Sequence, residues 1–238
     1  QHPRELASII KDAEPKLIVT STELQDKLNT LTTDKLLASL PIVCTPADLI
    51  EPVAPADIDS CIASAEPAIF QPEDLVLLLY TSGTTGTPKG VMLSSKNIIT
   101  NSMQCMTRFG SAMKGRSSLH KERFFAALPL FHVFAQNSCI WFPILIGASI
   151  IVVPRIDRRE ILEGLKQKPT IFFGVPALYG LLCMLKTAQI AQIKLFVSGG
   201  DALPDKIRSA FAMIYGRKIC SGYGLTEASP VIAVNIEN

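Results

Sequence analysis

Apolar positions along the chain follow two alternating periods. Leu6, Ile9 and Ile10 sit at helical spacing, and residues 16–20 read as a short buried strand. Thr22 is placed to cap a second helix through Leu24 and Leu28, and residues 41–44 read as another strand. The pattern then breaks. Between residues 45 and 74, Pro46, Pro52, Pro55, Pro67 and Pro72 alternate with Asp48, Glu51, Asp57, Asp59, Glu66 and Glu73. Such a segment reads as a surface connection with short helical turns. Periodicity resumes with an apolar strand over 75–79 and a helix capped by Ser94 or Ser95 that runs through Ile98 and Ile99. Residues 122–129 read as a strand entering a turn. The apolar stretch 139–153 is interrupted by Pro143 and Gly147, which splits it into a buried helix and a strand over 148–153. Asp157 and Glu160 form a capping box for a helix reaching Lys168. Residues 170–175 and 193–197 are strands. Pro176 opens a helix carrying Tyr179, Leu182 and Leu185, and a further helix starting at 203–205 carries Ile207, Phe211 and Ile214.

Repeated strand–helix units imply an α/β fold with mostly parallel sheets covered by helices. We read two parts: a partial first α/β subdomain with its proline- and acid-rich connection over 1–74, and a larger α/β subdomain over 75–238. No internal repeat is visible.

Composition changes this picture little. The chain has 238 residues, is 48% hydrophobic and carries a formal net charge of +2, too small to argue for nucleic acid. The six cysteines, Cys44, Cys61, Cys105, Cys139, Cys183 and Cys220, form no C-x-x-C pair. Reduced thiols in the cytoplasm are the plain reading, without a zinc site or disulfide framework. A membrane span needs about 20 mostly apolar residues, and the stretch 139–153 is too short and too broken. Residues 108–123 gather Arg108, Lys114, Arg116, Lys121 and Arg123 against Glu122 alone. This is either a solvated loop or a docking surface for an acidic partner or an anionic lipid, which would make peripheral membrane contact.

The chemistry concentrates in Tyr80-Thr81-Ser82-Gly83-Thr84-Thr85-Gly86-Thr87-Pro88-Lys89-Gly90. A strand, a loop of small and hydroxyl residues, and a helix in that order favour an anion. Small residues admit close backbone approach, and amide and hydroxyl donors suit phosphate oxygens. Lys89 adds a positive charge. The Walker pattern fails, because Pro88 precedes Lys89 and Gly90 follows it. The plain alternative is a Ser/Thr/Gly-rich surface loop.

Three further segments follow expected strands, where ligands of open α/β sheets gather. Gly199, Gly200, Asp201 and Ala202 could let a flat ring lie against backbone, or simply form a strand-to-helix turn. Gly222, Tyr223, Gly224, Leu225, Thr226 and Glu227 offer an aromatic face, a hydroxyl and a carboxylate of the kind that holds magnesium. The plain alternative there is a turn with an exposed acid. His132, between Phe131 and Phe134, is read from its apolar neighbours as a satisfied core histidine.

These motifs, in this order, closely resemble the signatures of the adenylate-forming enzymes, the acyl-CoA synthetase and luciferase-like family. The resemblance runs over essentially the whole chain and places it in the middle of a longer protein, within the large N-terminal domain. It implies that Thr81 to Thr87 and Lys89 bind the phosphates of ATP and that Gly199 to Ala202 pack against adenine. It further implies that Tyr223 stacks on the base, Thr226 contacts phosphate and Glu227 binds Mg2+. His132 would sit near the substrate carboxylate in a positioning or charge-stabilising role, with His132, Lys89 and Thr226 as the catalytic set. Many members have a small residue where Asp201 stands. The implied reaction joins a carboxylic acid, in our reading a medium or long fatty acid, to AMP and then to a thiol of coenzyme A or an acyl carrier protein. An aryl or amino acid is the alternative substrate. A non-catalytic nucleotide-binding or membrane-associated module is the alternative class. Phe131, Phe134, Trp141, Phe172, Phe173, Val175 and Tyr179 are candidates for the acyl lining. By the same resemblance the ribose-binding aspartate and the adenylation lysine fall beyond Asn238, so the isolated chain is expected to be nearly inactive.

Overall fold

The computed structural model describes residues 3–29, 40–45, 71–81, 88–112 and 119–236. Residues 46–70 of the proline-rich connection and 113–118 of the basic segment lie outside it. The chain divides into two compact units, one of residues 1–71 with 80–91 and one of 72–79 with 92–238.

In the first unit, α1 (Pro3–Ala13) buries Ile10 against Leu6, Ala7, Ile18 and Leu40. Strand β1 (Ile18–Ser21) pairs in parallel with β2 (Ile42–Thr45), and α2 (Thr22–Asn29) begins at the expected Thr22. The Tyr80 hydroxyl donates to Asp12 Oδ2 at 2.5 Å. Desolvation, then that bond and the Asp12 charge, push the phenol up to about 12.

Strands β3 (Leu75–Thr81) and β4 (Lys89–Ser94) pair with one another as a two-stranded sheet. Strand β4 corrects the expected strand–loop–helix order. Residues 90–94 are extended, with Leu93 buried and Met92 exposed, so the helix starts only after this strand. The helix therefore begins only at Ser95, after strand β4. That helix is α3 (Ser95–Ala112). Ser94 caps it, its Oγ accepting from the Asn97 amide at 3.2 Å while Asn97 Oδ1 accepts from the Ser94 amide at 2.9 Å.

The second unit holds a sheet that has, among the described residues, six strands in the order β10-β9-β8-β7-β5-β6. Its members are β5 (Arg123–Ala126), β6 (Ser149–Val152), β7 (Ile171–Gly174), β8 (Leu195–Ser198), β9 (Cys220–Gly224) and β10 (Val231–Asn235). All pairings are parallel except β9 with β10. The antiparallel β10 had no counterpart in the sequence reading. The helices between strands are α4 (Val133–Gln136), a π turn (Asn137–Trp141), α5 (Phe142–Leu145), α6 (Arg158–Lys166), α7 (Pro176–Leu185) and α8 (Asp205–Tyr215). Asp157 caps α6, accepting from the Glu160 amide at 2.9 Å.

Phenylalanines on neighbouring strands divide between the sheet faces, as strand alternation requires. Phe124 and Phe173 stack together and meet Phe109 and Phe142 from α3 and α5. Phe125 and Phe172 stack on the other face, where Phe172 meets Tyr179 and Phe196, and both of these meet Phe211. Each fully buried ring contributes about 2–3 kcal/mol of apolar transfer. Tyr179 is buried too, but its hydroxyl donates to Val197 O at 2.8 Å. Phe172 and Tyr179 are therefore core residues, and Phe173 is buried with its ring edge-on to Phe134.

Glu122, fully buried just before β5, accepts from Lys194 Nζ at 2.7 Å. Among the described residues, no helix is long and apolar enough to cross a membrane.

Candidate nucleotide site

Strand order locates the site. From β5 the chain moves outward to β6, whereas from β7 it moves the other way to β8. Adjacent parallel strands whose connections leave in opposite directions open a crevice at their carboxyl ends. The segments following β5, β7, β8 and β9 all emerge at that edge.

After β8, the Gly199 amide donates to Gly174 O at 3.1 Å, tying the loop to the end of β7. A Cβ on Gly199 would lie 2.9 Å from the Phe134 ring, so any side chain here would push that ring aside. Gly200 has φ +81° and is exposed. Asp201 Oδ1 accepts from the Ala202 amide at 2.7 Å, so the carboxylate is turned onto its own loop. Ser198, at the root of this loop, is buried, and its Oγ has no hydrogen-bond partner.

Strand β9 carries Gly222-Tyr223-Gly224 beside this loop, with Ser221 opposite Ser198 in register. The sequence reading placed these residues after an expected strand, whereas Gly222, Tyr223 and Gly224 lie within it. The Tyr223 ring is 62% exposed. A Cβ on Gly224 would fall 2.1 Å from Pro230 O, so no side chain fits there. Leu225 donates to Pro230 O at 3.0 Å, and Thr226–Ala228 form one 3-10 turn that presents Glu227 to solvent. The peptide between Ser229 and Pro230 is cis, and Ser229 has φ +70°.

This turn is held from beneath by residues that motif reading passed over. Asn101 Nδ2 donates to Val231 O at 2.8 Å and Ala228 O at 3.2 Å, and its Oδ1 accepts from the Val231 amide at 3.2 Å. Asn137 Nδ2 lies 2.9 Å from Ser229 O and 3.3 Å from both Asn101 Oδ1 and Ser102 Oγ. Asn101 is 5% exposed and Asn137 2%. The available signal was an amide at each of two apolar helix positions.

His132 corrects the sequence reading of a core histidine. It is exposed, its ring 4.4 Å from that of Phe131, and it sits at the N-cap of α4 without a side-chain capping bond. Phe131 is 72% exposed. Gln136 Nε2 donates to Leu130 O at 2.8 Å, bracing the loop that carries His132, while its buried Oε1 has no partner. Two residues beyond His132, Phe134 lies on Gly199.

Thr81 ends β3 and Lys89, exposed, opens β4; both belong to the other compact unit. Ser82, Gly83, Thr84, Thr85, Gly86 and Thr87 lie outside the described residues. The structure thus brings the Gly199 loop, the β9 motif and the His132 segment to one edge.

These residues fit a nucleotide. A flat ring could rest on Gly200 and the open face of Tyr223, and the buried Ser198 hydroxyl is left to satisfy. No group of three or more His, Cys, Asp or Glu that could hold a metal occurs among the described residues. A single exposed carboxylate such as Glu227 suits Mg2+, which takes most of its ligands from phosphate and water.

Glycine-bearing segments at the carboxyl ends of β8 and β9, beside the switch point between β5 and β7, are where open α/β sheets gather ligands. The chain belongs to the AMP-binding enzyme family, whose model matches residues 1–238. It is 38% identical to a long-chain-fatty-acid–CoA ligase of Bacillus subtilis over 71% of its own length and 30% of the relative's. It is 29% identical to 4-coumarate–CoA ligase 1 of Arabidopsis thaliana over 98% of its length and 43% of that relative's. Its fold is that of ATP-bound MatB from Rhodopseudomonas palustris, with a TM-score of 0.78 and 24% identity, covering 99% of this chain and 45% of that one. The chain spans less than half the length of these relatives.

Proposed function

We propose that this chain is the nucleotide- and acyl-binding portion of an enzyme that activates a carboxylic acid with ATP and passes the acyl group to a thiol. The observation that carries the reading is the emergence of the Gly199 loop and the β9 motif side by side at the sheet edge, within a chain of this family. In the first half-reaction a carboxylate oxygen attacks the α-phosphorus of ATP, forming an acyl-adenylate and expelling pyrophosphate. Two anions must meet, so fixed positive charge and aligned donors lower the barrier. Lys89, the hydroxyls of Thr81, Ser82, Thr84, Thr85 and Thr87, and Thr226 serve that need. Gly200 and Tyr223 hold the base. His132, exposed and bracketed by Phe131 and Phe134, positions the incoming carboxylate. Glu227 holds Mg2+, which when bound neutralises phosphate charge. In the second half-reaction a thiolate displaces AMP; the names of the ligase relatives favour coenzyme A over a carrier protein.

For the acid we keep a medium or long fatty acid, supported by 38% identity to the fatty-acid ligase. An aryl acid is the second reading, because the coumarate ligase aligns over nearly the whole chain. ATP–pyrophosphate exchange by the full-length protein across fatty, aryl and amino acids tests both. Exchange that depends on one acid class and is lost in Lys89→Ala and Glu227→Ala is the expected result. Exchange with no acid in the panel would remove the ligase reading.

A further inference from the structure

The turn that presents Thr226 and Glu227 holds itself only in part, through backbone bonds from Leu225 to Pro230 O, Ala228 to Leu225 O and Ser229 to Thr226 O. It lacks a side-chain cap, passes through a left-handed Ser229, and is followed by Pro230, which has no N–H. The β9–β10 register also shifts between Val231 and Ala233, so ladder bonding is broken where the turn rejoins the sheet. Four backbone groups are consequently answered by two buried amides. Ala228 O, Val231 O and the Val231 N–H pair with Asn101, and Ser229 O pairs with Asn137. The arrangement fixes the amide orientation: an oxygen of Asn101 must face the Val231 N–H, so its nitrogen faces the two carbonyls.

Asn137 begins the π turn that interrupts the helical segment after His132. The same short segment therefore reaches both parts of the site. Its first residue is His132, Phe134 lies on Gly199, and Asn137 holds Ser229. Local π geometry recurs where a helix is adjusted to place a functional group.

We propose that Asn101 and Asn137 are positioning residues for ATP and its metal: their linked amides fix the place of Thr226 and Glu227 without touching the nucleotide. This rests on the ATP- and metal-binding reading of that turn. The test uses the full-length protein with Asn101→Ala, Asn137→Ala, the double variant, and Phe211→Leu as a fold control. Phe211 is fully buried in the cluster with Tyr179 and Phe196, outside the network. In pyrophosphate exchange, each Asn variant should raise KM for MgATP about tenfold and leave KM for the acid within about twofold. The double variant should fall short of the product of the two single effects, because Asn137 donates to Asn101. Phe211→Leu should lower Tm and leave the MgATP KM unchanged. Hydrogen exchange at the amides of Leu225, Ala228 and Ser229 should quicken in the Asn variants and not in Phe211→Leu. Wild-type MgATP KM in the Asn variants, or equal rises in both KM values, would overturn the proposal. If the parent protein activates no acid, the ligase reading fails separately. Hydrogen exchange then decides alone, and unchanged rates in the turn would end the positioning claim.

Discussion

Gly224 offers the sharpest structural test. Replacing it by alanine adds one carbon 2.1 Å from Pro230 O and 2.9 Å from Pro230 C. A carbon–oxygen contact of about 3.3 Å is the nearest comfortable approach, so the two strands must part by roughly 1 Å. The obstacle is backbone and cannot rotate aside. That movement stretches the Leu225–Pro230 hydrogen bond, now 3.0 Å, beyond use. Losing it costs about 1 kcal/mol, and forced repacking adds about 1–2. The sum, about 2–3 kcal/mol, lowers Tm by roughly 5–10 °C in a protein of this size. Gly216→Ala is the matched comparison. Gly216 has φ +63° and nothing within 4 Å of an added Cβ, so only left-handed strain of about 1 kcal/mol is paid. Thermal melts of both variants with and without MgATP separate the effects. Gly224→Ala should melt lower than Gly216→Ala and lose nucleotide stabilisation, while Gly216→Ala keeps it. A Gly224→Ala protein that melts with the parent would refute the steric reasoning. One that melts low yet keeps full MgATP stabilisation would refute the link between this turn and the nucleotide.

Gly199→Ala should displace the Phe134 ring, whose edge lies 2.9 Å from the new carbon, and raise KM for the acid more than for MgATP in pyrophosphate exchange. Lys194→Met removes the 2.7 Å ion-pair partner of the fully buried Glu122 and should cost roughly 3 kcal/mol in urea unfolding, whereas Glu122→Gln should cost less because Lys194 is part-exposed. Burial pushes the Cys105 and Cys139 thiols up to about 11, so at pH 8 neither should be alkylated in the folded protein, by peptide mass spectrometry. The same shift has a defined sign for stability: a raised thiol favours the folded state fully below pH 9 and loses that advantage between pH 9 and 11. For Cys139 the loss is on the order of 2–3 kcal/mol, visible as a falling Tm across that window.

Element identity in the larger unit was legible because each strand there is short, apolar and bounded by a helix with its own start signal. Asp157 before α6 and Pro176 at the first position of α7 mark helices independently of packing. Two strands escaped. Strand β4 was obscured because Val91 and Leu93 alternate around an exposed Met92 over too few residues to separate from a loop. Strand β10 is an edge strand of mixed exposure, without the continuous apolar run that exposed its buried parallel neighbours. Of the acyl lining, Phe172 was misread for a general reason. A sheet covered on both faces buries consecutive residues, so adjacent aromatics point to opposite cores; of the two, Phe173 meets Phe134 edge-on beneath the site.

The candidate site divides along the same physical line. Glycines, Tyr223, Thr226 and Glu227 are legible because ligand contact demands particular residue types in contiguous order, and contiguity is what a sequence displays. The support beneath them comes from Asn101 and Asn137, 36 positions apart and more than 90 from the turn they hold. Nothing local marks such a pair, since each amide answers a carbonyl whose position exists only after the sheet has formed. The burial itself carries the information. An amide inside an apolar helix costs stability unless its hydrogen bonds are met, so its place there points to a backbone that could not satisfy itself. In this chain that backbone is the cis-proline turn bearing Glu227.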